Sequence, residues 1–250
     1  MRLEDLFRSI DVKSRHQWRD VEINGISTDS RSIKEGELFV AVRGHEADGH
    51  DFTGHAVNAG AAALVVENPV EADIPVVVVD NSSTAEVSLA RVFYGDPSSR
   101  VLLIGITGTN GKTSTAFILQ SILQGSHGPT GIIGTVGFGA GGDLSAATNT
   151  TPSSSELNRI MAGFVDRGCR TVVMEVSSHA AAQDRIGGLE FDIGVFTNIS
   201  RDHMDYHGNL ENYIEAKEKF VRTLSAHGRA KKPGTLIYNV DDGNVAKIGE

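Results

Sequence analysis

The stretch VLLIGITGTNGKTSTAFILQ, Val101 to Gln120, constrains the fold more than any other part of the chain. A strand-sized apolar run leads into a turn carrying Gly105, Gly108 and Gly111, and then into a helical pattern. A strand feeding a glycine-rich turn and a helix aims backbone N–H groups and the helix N-terminus at one point, which suits an anion. Lys112 is placed to reach outer phosphates, and the Thr113 hydroxyl to ligate magnesium. The strict pattern G-x-x-x-x-G-K-[ST] is not met, because Ile106 stands where its first glycine belongs. An ordinary tight turn is the competing reading. The Lys-Thr pair directly after Gly111, in the correct strand-to-helix context, favours a nucleotide site.

The rest of the chain fits an α/β protein. Apolar runs in VEINGIST, GELFVAV, AAALVVE and IPVVVVD read as strands bounded by Gly, Asn, Asp and Pro. DFTGHAVNAG reads as a short helix ending at Gly60, and STAEVSLARVFYG as a helix with Val87, Ala90, Arg91 and Tyr94 at helical spacing. The turn-rich GDPSSR marks the expected boundary between a first domain, 1–98, and a second, 99–250. In the second domain a helix is expected from about Thr113 to Gln124, capped by Gly125. One strand, Ile132 to Phe138, is expected in an otherwise loop-like glycine-rich region. Further on, SSELNRIMAGFVDRG and NLENYIEAKEKFVRTLS read as helices, and RTVVMEV, FDIGVFTNI and GTLIYNV as strands. Strands separated by helices imply a mainly parallel, doubly wound sheet in this second domain, after a smaller α/β first domain. The chain stops just after the last of these strands, which suggests an incomplete second domain.

Charge and cysteine content narrow the class. A net charge of −9 argues against a broad nucleic-acid or anionic-membrane surface. No apolar run reaches membrane-spanning length, and the charged start MRLEDLFRSIDVK does not resemble a signal peptide. The single cysteine, Cys169, excludes an internal disulfide framework and fits a reducing cytosol. A soluble cytoplasmic protein is expected.

Three further positions carry chemistry. Glu175 ends the apolar run TVVME, where open α/β sheets place ligand-binding groups; it can hold Mg²⁺ against phosphates or simply face water. NISRDHMDYHG crowds His203 and His207 four residues apart, but no cysteine or general-base Glu accompanies them, so zinc is disfavoured. Lys217 has Tyr213, Ile214, Phe220 and Val221 at three and four positions, which puts it on the apolar stripe of its helix. Its stem can snorkel to water, or its amine can be desolvated and held neutral and nucleophilic. Lys219, four residues after Glu215, reads as one half of a solvated pair.

The turn TGTNGKTS, together with STDSR, GELFVAVRGHEADGHDF, NTTPS, MEVSSHAAAQDR, FTNISRDHMDYHG and YIEAK in that order, resembles the Mur ligase family, which includes folylpolyglutamate synthases. The resemblance covers nearly all of the chain. It implies an ATP- and Mg²⁺-dependent amide ligase of peptidoglycan synthesis. Within the family, the motifs are most similar to the branch that adds a diamino acid, meso-diaminopimelate or L-lysine, to UDP-N-acetylmuramoyl-L-alanyl-D-glutamate. ATP would lie on Gly108, Thr109, Asn110, Gly111, Lys112, Thr113 and Ser114. Thr113, Glu175, His203 and a carbamylated Lys217 would hold magnesium, so that Lys112, Glu175, His203 and Lys217 form the catalytic set. Ser30 and His45 would take the uridine end of the substrate, and Asn149, Thr150, Thr151, Ser177, Gln183 and Arg185 the muramoyl-peptide end. The first domain would bind the uridine nucleotide and the second ATP. A third, amino-acid-binding domain expected of the family is missing from this sequence. The chain is expected to act as a monomer. Three alternatives remain open: a sister ligase with another acceptor or amine, a generic P-loop NTPase, and a binding module without activity of its own.

Overall fold

The computed structural model of the chain describes residues 1–44, 47–147, 149–226 and 233–249. They group into two compact units: Met1–Asp96 with Ser154–Arg159, and Pro97–Ser153 with Ile160–Glu250.

In the first unit, β1 (Ser14–His16), β2 (Gly25–Ser27), β3 (Glu37–Val40), β4 (Ala63–Val66) and β5 (Val76–Val78) form one sheet in the order β1-β5-β4-β3-β2. Only β1 runs antiparallel to its neighbour. Residues of β3 alternate between its two faces: Leu38 and Val40 join a core with Leu3, Leu6 and Phe7 of the N-terminal segment, while Phe39 joins Ala56, Leu64 and Val76. Both faces are covered, and this explains why these strands read as unbroken apolar runs rather than as alternating ones. The helix α3 (Ser82–Tyr94) follows α1 (Leu3–Leu6) and α2 (Thr53–Asn58) in the chain. Asn81 caps its start by accepting the Thr84 N–H at 2.9 Å, and Gly95 ends it in the left-handed region at φ 71°. Its buried face is Ala85, Glu86, Leu89 and Ala90. Of the four positions expected at helical spacing, Ala90 lies on this face, whereas Val87, Arg91 and Tyr94 are only half-buried.

The second unit is built on β6 (Leu102–Thr107), α4 (Lys112–His127), β7 (Thr130–Gly134), β8 (Gly137–Ala140), β9 (Asp143–Ser145), the part of α5 (Ser154–Asp166) from Ile160 onward, β10 (Thr171–Glu175), α6 (Ser178–Ala182), β11 (Ile193–Phe196), α7 (Met204–His207), α8 (Leu210–Ala226), β12 (Thr235–Tyr238) and α9 (Gly243–Gly249). The sheet order is β12-β11-β6-β10-β7-β8-β9, parallel from β12 to β7. The chain leaves β6 toward β7 on one side and later returns to place β11 on the other. The carboxyl end of β6 is therefore the topological switch point, where ligands bind in such sheets. Register brings Glu175, the last residue of β10, opposite Ile106, so its carboxylate stands beside the start of the glycine turn.

The fit of α8 onto this sheet is set by a missing side chain. Gly105 lies in the middle of β6, and a Cβ there would come within 2.6 Å of Phe220 and 2.7 Å of Phe191. Phe220 of α8 thus sits directly on the strand backbone. Lys217 is three residues earlier on the same helical face, and Gly108 three residues further along the β6 chain.

Three expectations are corrected here. The helix after the glycine turn runs to His127 and closes at Gly128, so Gly125 is inside it. The segment read as one strand over Ile132–Phe138 is a hairpin, β7 pairing antiparallel with β8 and β8 with β9. Residues after the last expected strand, β12, form a further helix, α9.

Candidate nucleotide and metal site

The glycine turn owes its shape to two positions. Gly108 has φ +140°, and a Cβ on it would come within 2.0 Å of the Thr197 hydroxyl oxygen. Gly111 has φ +84° and forms the N-cap of α4 without any side-chain cap. Only glycine adopts the first geometry beside a neighbouring loop this close. The turn is tied down from the end of β11: Asn198 accepts the Asn110 N–H at 2.9 Å through Oδ1, and donates from Nδ2 to the Asn110 carbonyl at 3.0 Å. Thr109 accepts the Ser200 N–H at 2.9 Å and shares a 3.0 Å hydrogen bond with the Tyr213 hydroxyl. The first turn of a 16-residue helix, uncapped by side chains, then presents its N–H groups above this platform. Such an arrangement can cradle a phosphate.

Two lysines meet on it. Lys112 Nζ donates to the Gly108 and Thr109 carbonyls, at 2.9 and 3.0 Å. Lys217 Nζ donates to the same Gly108 carbonyl at 2.9 Å and lies 4.6 Å from the centre of the Tyr213 ring. Lys217 is 1% exposed, which excludes the snorkelling reading. Its long stem is enclosed by the helix and sheet, and its amine cannot reach bulk water. Burial, and secondarily the Lys112 charge, push its pKa down to about 7. Burial also lowers that of Lys112. Lys219 is exposed, as its spacing predicts; the exposed pair at 2.9 Å on this helix is Glu218 with Arg222 rather than Glu215 with Lys219.

The carboxylate side of the cradle is Glu175, 1% exposed. Its Oε2 accepts from the Thr113 hydroxyl at 2.9 Å and from the Thr135 hydroxyl at 3.2 Å, and its Oε1 accepts the Thr135 N–H at 2.9 Å. Gly134 makes room for it: a Cβ there would come within 2.2 Å of Oε1. An alcohol oxygen and a carboxylate oxygen side by side at the mouth of a phosphate cradle are the hard donors that Mg²⁺ takes in company with nucleotide phosphates. No group of three or more His, Cys, Asp or Glu among the described residues could hold a metal by itself.

The remaining candidates fall into three places. Thr151, 1% exposed, donates to the Glu175 carbonyl at 2.9 Å and accepts the Ser177 N–H at 3.1 Å, while Ser177 caps α6. Arg185 binds the Thr151 carbonyl at 3.0 Å through Nη1, and grips Gln183 Oε1 through Nε at 2.9 Å and Nη2 at 2.6 Å. Gln183 Nε2 in turn donates to the Tyr206 hydroxyl at 2.9 Å. Thr150 contacts Thr135, Asn149 is exposed beside it, and Ser114 is exposed in the first turn of α4. Second, His203 opens α7 in the left-handed region at φ 52°. Its ring meets His179 edge-to-face at 4.7 Å, and His179 also meets Tyr206 and His207. His207 bonds the Ser178 hydroxyl at 3.0 Å and is buried; burial and the neighbouring His179 and His203 lower its pKa. Third, Ser30 is buried in the first unit, after β2 and next to Asp29, whose carboxyl the Arg31 guanidinium holds below its ordinary range. His45 lies outside the described residues.

Sequence reasoning missed Thr135, His179, Tyr206 and Tyr213. Tyr213 had been visible only as an apolar neighbour of Lys217, and the other three sit in a two-residue turn or in helices of four and five residues, too short for periodicity.

Comparison with known proteins agrees with this geometry. Residues 106–249 match the Mur ligase middle domain, and residues 22–94 the domain described as Mur ligase family, catalytic domain. The chain is 41% identical over 250 residues to the UDP-N-acetylmuramoyl-L-alanyl-D-glutamate–2,6-diaminopimelate ligase of Geobacter metallireducens, covering 99% of this chain and 49% of that one. It is 44% identical over 227 residues to the ligase of the same name from Geobacillus kaustophilus, covering 91% and 46%. Among solved structures, a UDP-N-acetylmuramoyl-L-alanyl-D-glutamate–2,6-diaminopimelate ligase superposes with a TM-score of 0.78 at 25% identity, covering 99% of this chain and 49% of that one. MurF of Thermotoga maritima in complex with ADP superposes with a TM-score of 0.58 at 25% identity, covering 90% and 48%. The chain spans about half the length of the curated relatives it matches. With a family model matched over more than half of the chain and a second over residues 22–94, the chain belongs to the Mur ligase family.

Proposed function

We propose that this chain carries the uridine-nucleotide and ATP sites of a ligase that joins diaminopimelate to UDP-N-acetylmuramoyl-L-alanyl-D-glutamate. The first domain, 1–98, takes the uridine end through Ser30 and His45, and the second, 99–250, takes ATP. The observation that carries this reading is Lys217, a fully buried amine laid on the Gly108 carbonyl of the phosphate turn. A carbamate on Lys217 supplies an anion for metal, and its remaining N–H can keep the bond to Gly108.

ATP lies on residues 108–114, with Lys112 released from the Gly108 and Thr109 carbonyls to its outer phosphates. Thr113, Glu175 and carbamylated Lys217, with His203 for a second ion, would hold Mg²⁺, which would supply positive charge against the nucleotide phosphates. Asn149, Thr150, Thr151, Ser177, Gln183 and Arg185 orient the peptide. Arg185, oriented by Gln183 and Thr151, supplies the cation for a peptide carboxylate. The peptide carboxylate oxygen attacks the γ-phosphorus, forming a C–O–P linkage as ADP leaves. The neutral amine of the diamino acid then attacks the acyl carbon, inorganic phosphate departs with the bridging oxygen, and the amine loses a proton. No helix among the described residues is long and apolar enough to cross a membrane, and a monomer in the cytoplasm fits the reading.

Calorimetry tests the substrate assignment. The UDP-muramoyl dipeptide is expected to bind the chain, and Ser30→Ala to weaken it about tenfold, the loss of roughly one hydrogen bond to a charged group. Mg-ATP affinity should not move. Absence of dipeptide binding, or a Ser30→Ala variant that loses ATP instead, contradicts the assignment.

A further inference from the structure

We propose that the Thr135 hydroxyl is a positioning group that couples the metal carboxylate Glu175 to the substrate threonine Thr150. The inference rests on the function proposed above, because it takes Thr150 to face the muramoyl peptide.

Thr135 occupies the two-residue turn between β7 and β8, on the exposed edge of the site. Its side-chain oxygen stands 3.2 Å from Glu175 Oε2 and 3.1 Å from the Thr150 hydroxyl, so it touches both groups at once. The proton order along this chain follows from elementary chemistry. A hydroxyl has one proton to donate, and a carboxylate oxygen only accepts. Thr135 therefore donates to Glu175, and must accept from Thr150. The direction is Thr150 O–H to Thr135 O–H to Glu175. Thr150 has then committed its only proton inward and presents lone pairs outward. It selects a donor on the substrate, an amide N–H or a hydroxyl, and disfavours a carboxylate or phosphate oxygen.

Such a chain also carries energy between the two ends. A donor arriving at Thr150 polarises both hydroxyls in the same sense and strengthens the bond to Glu175. Glu175 is then fixed where Thr113 and the ion must meet it. The Thr135 N–H bond to Oε1 anchors the carboxylate independently, so the hydroxyl is the removable part of the link. Substrate and Mg-nucleotide should accordingly tighten each other, by the same factor in either order.

The experiment is calorimetric titration of the UDP-muramoyl dipeptide with and without a magnesium complex of a non-hydrolysable ATP analogue. The unmutated protein is expected to bind the dipeptide about fivefold more tightly in the presence of the complex. Thr135→Val should reduce that factor to below twofold while the thermal midpoint stays in place, since the position is exposed and the backbone bond survives. Thr135→Ser, which keeps the hydroxyl, should restore it. A structural role for the side chain's bulk predicts the opposite ranking of Val and Ser. Full coupling in Thr135→Val, or none in the unmutated protein, overturns the inference alone. Failure of the unmutated protein to bind the dipeptide at all overturns the function reading and this inference with it.

Discussion

Lys217→Ala is expected to lower ATP-dependent phosphoryl transfer at least about a hundredfold in the native protein, the usual scale for losing a fixed charge-stabilising group. Binding of the UDP-muramoyl dipeptide through the first unit should persist. Burial to 1% exposure and a pKa near 7 leave much of the amine neutral at ordinary pH. A neutral amine adds carbon dioxide and releases a proton, and the carbamate formed at the phosphate turn is a magnesium ligand. Removing carbon dioxide and bicarbonate should therefore reproduce the Lys217→Ala defect in the unmutated protein, and restoring them should reverse it. The sign with pH is fixed: restoration is efficient at pH 8, where the amine is neutral, and weakens progressively below about 7 as it takes up a proton. Lys219→Ala, two residues away and exposed, should change nothing measurable. Activity indifferent to bicarbonate, with Lys217→Ala fully active, contradicts this role.

Gly108→Val is expected to abolish Mg-ATP binding, with Kd raised at least about a hundredfold. A β-branched side chain at φ +140° is strained by on the order of 1–3 kcal/mol. Its Cβ also meets the Thr197 hydroxyl at 2.0 Å, backed by the Asn198 N–H at 3.1 Å. The turn cannot swing away, because Thr109 and Asn110 are tied to Asn198 and Ser200. The strain therefore goes into the carbonyl and N–H directions that cradle phosphate, and into the Gly108 carbonyl that receives both lysines. Titration with ATP well below the variant's thermal midpoint separates this effect from unfolding. Unchanged ATP affinity there places the nucleotide elsewhere.

The α/β architecture and the nucleotide turn were legible in the sequence because burial on both faces leaves strands apolar throughout, and because Lys-Thr after a glycine turn has few other uses. Lys217 was legible for a different reason. Helix α8 is 17 residues long, so a single polar residue among Tyr213, Phe220 and Val221 stands out against a clear period. The hairpin was not legible. β7 and β8 are five and four residues separated only by Thr135 and Val136, with no Asn-Gly or Asp-Gly to mark the turn, and a continuous period of two runs through both. That error hid Thr135, whose role comes from where the turn delivers it. The link from Gln183 to Arg185 was invisible too: two residues expected to touch substrate separately turn out to be joined, one presetting the other. Such pairings depend on rotamers, which sequence spacing does not encode.

Isotope transfer tests the central claim most directly. The native protein is supplied with UDP-muramoyl dipeptide labelled with ¹⁸O in its reacting carboxylate, together with Mg-ATP and diaminopimelate, and the released phosphate is examined by mass spectrometry. Attack of the carboxylate on phosphorus predicts one ¹⁸O in each phosphate, matched by formation of tripeptide. Phosphate carrying no label, its fourth oxygen drawn from water, means that the site hydrolyses nucleotide without activating a carboxylate, and contradicts the account.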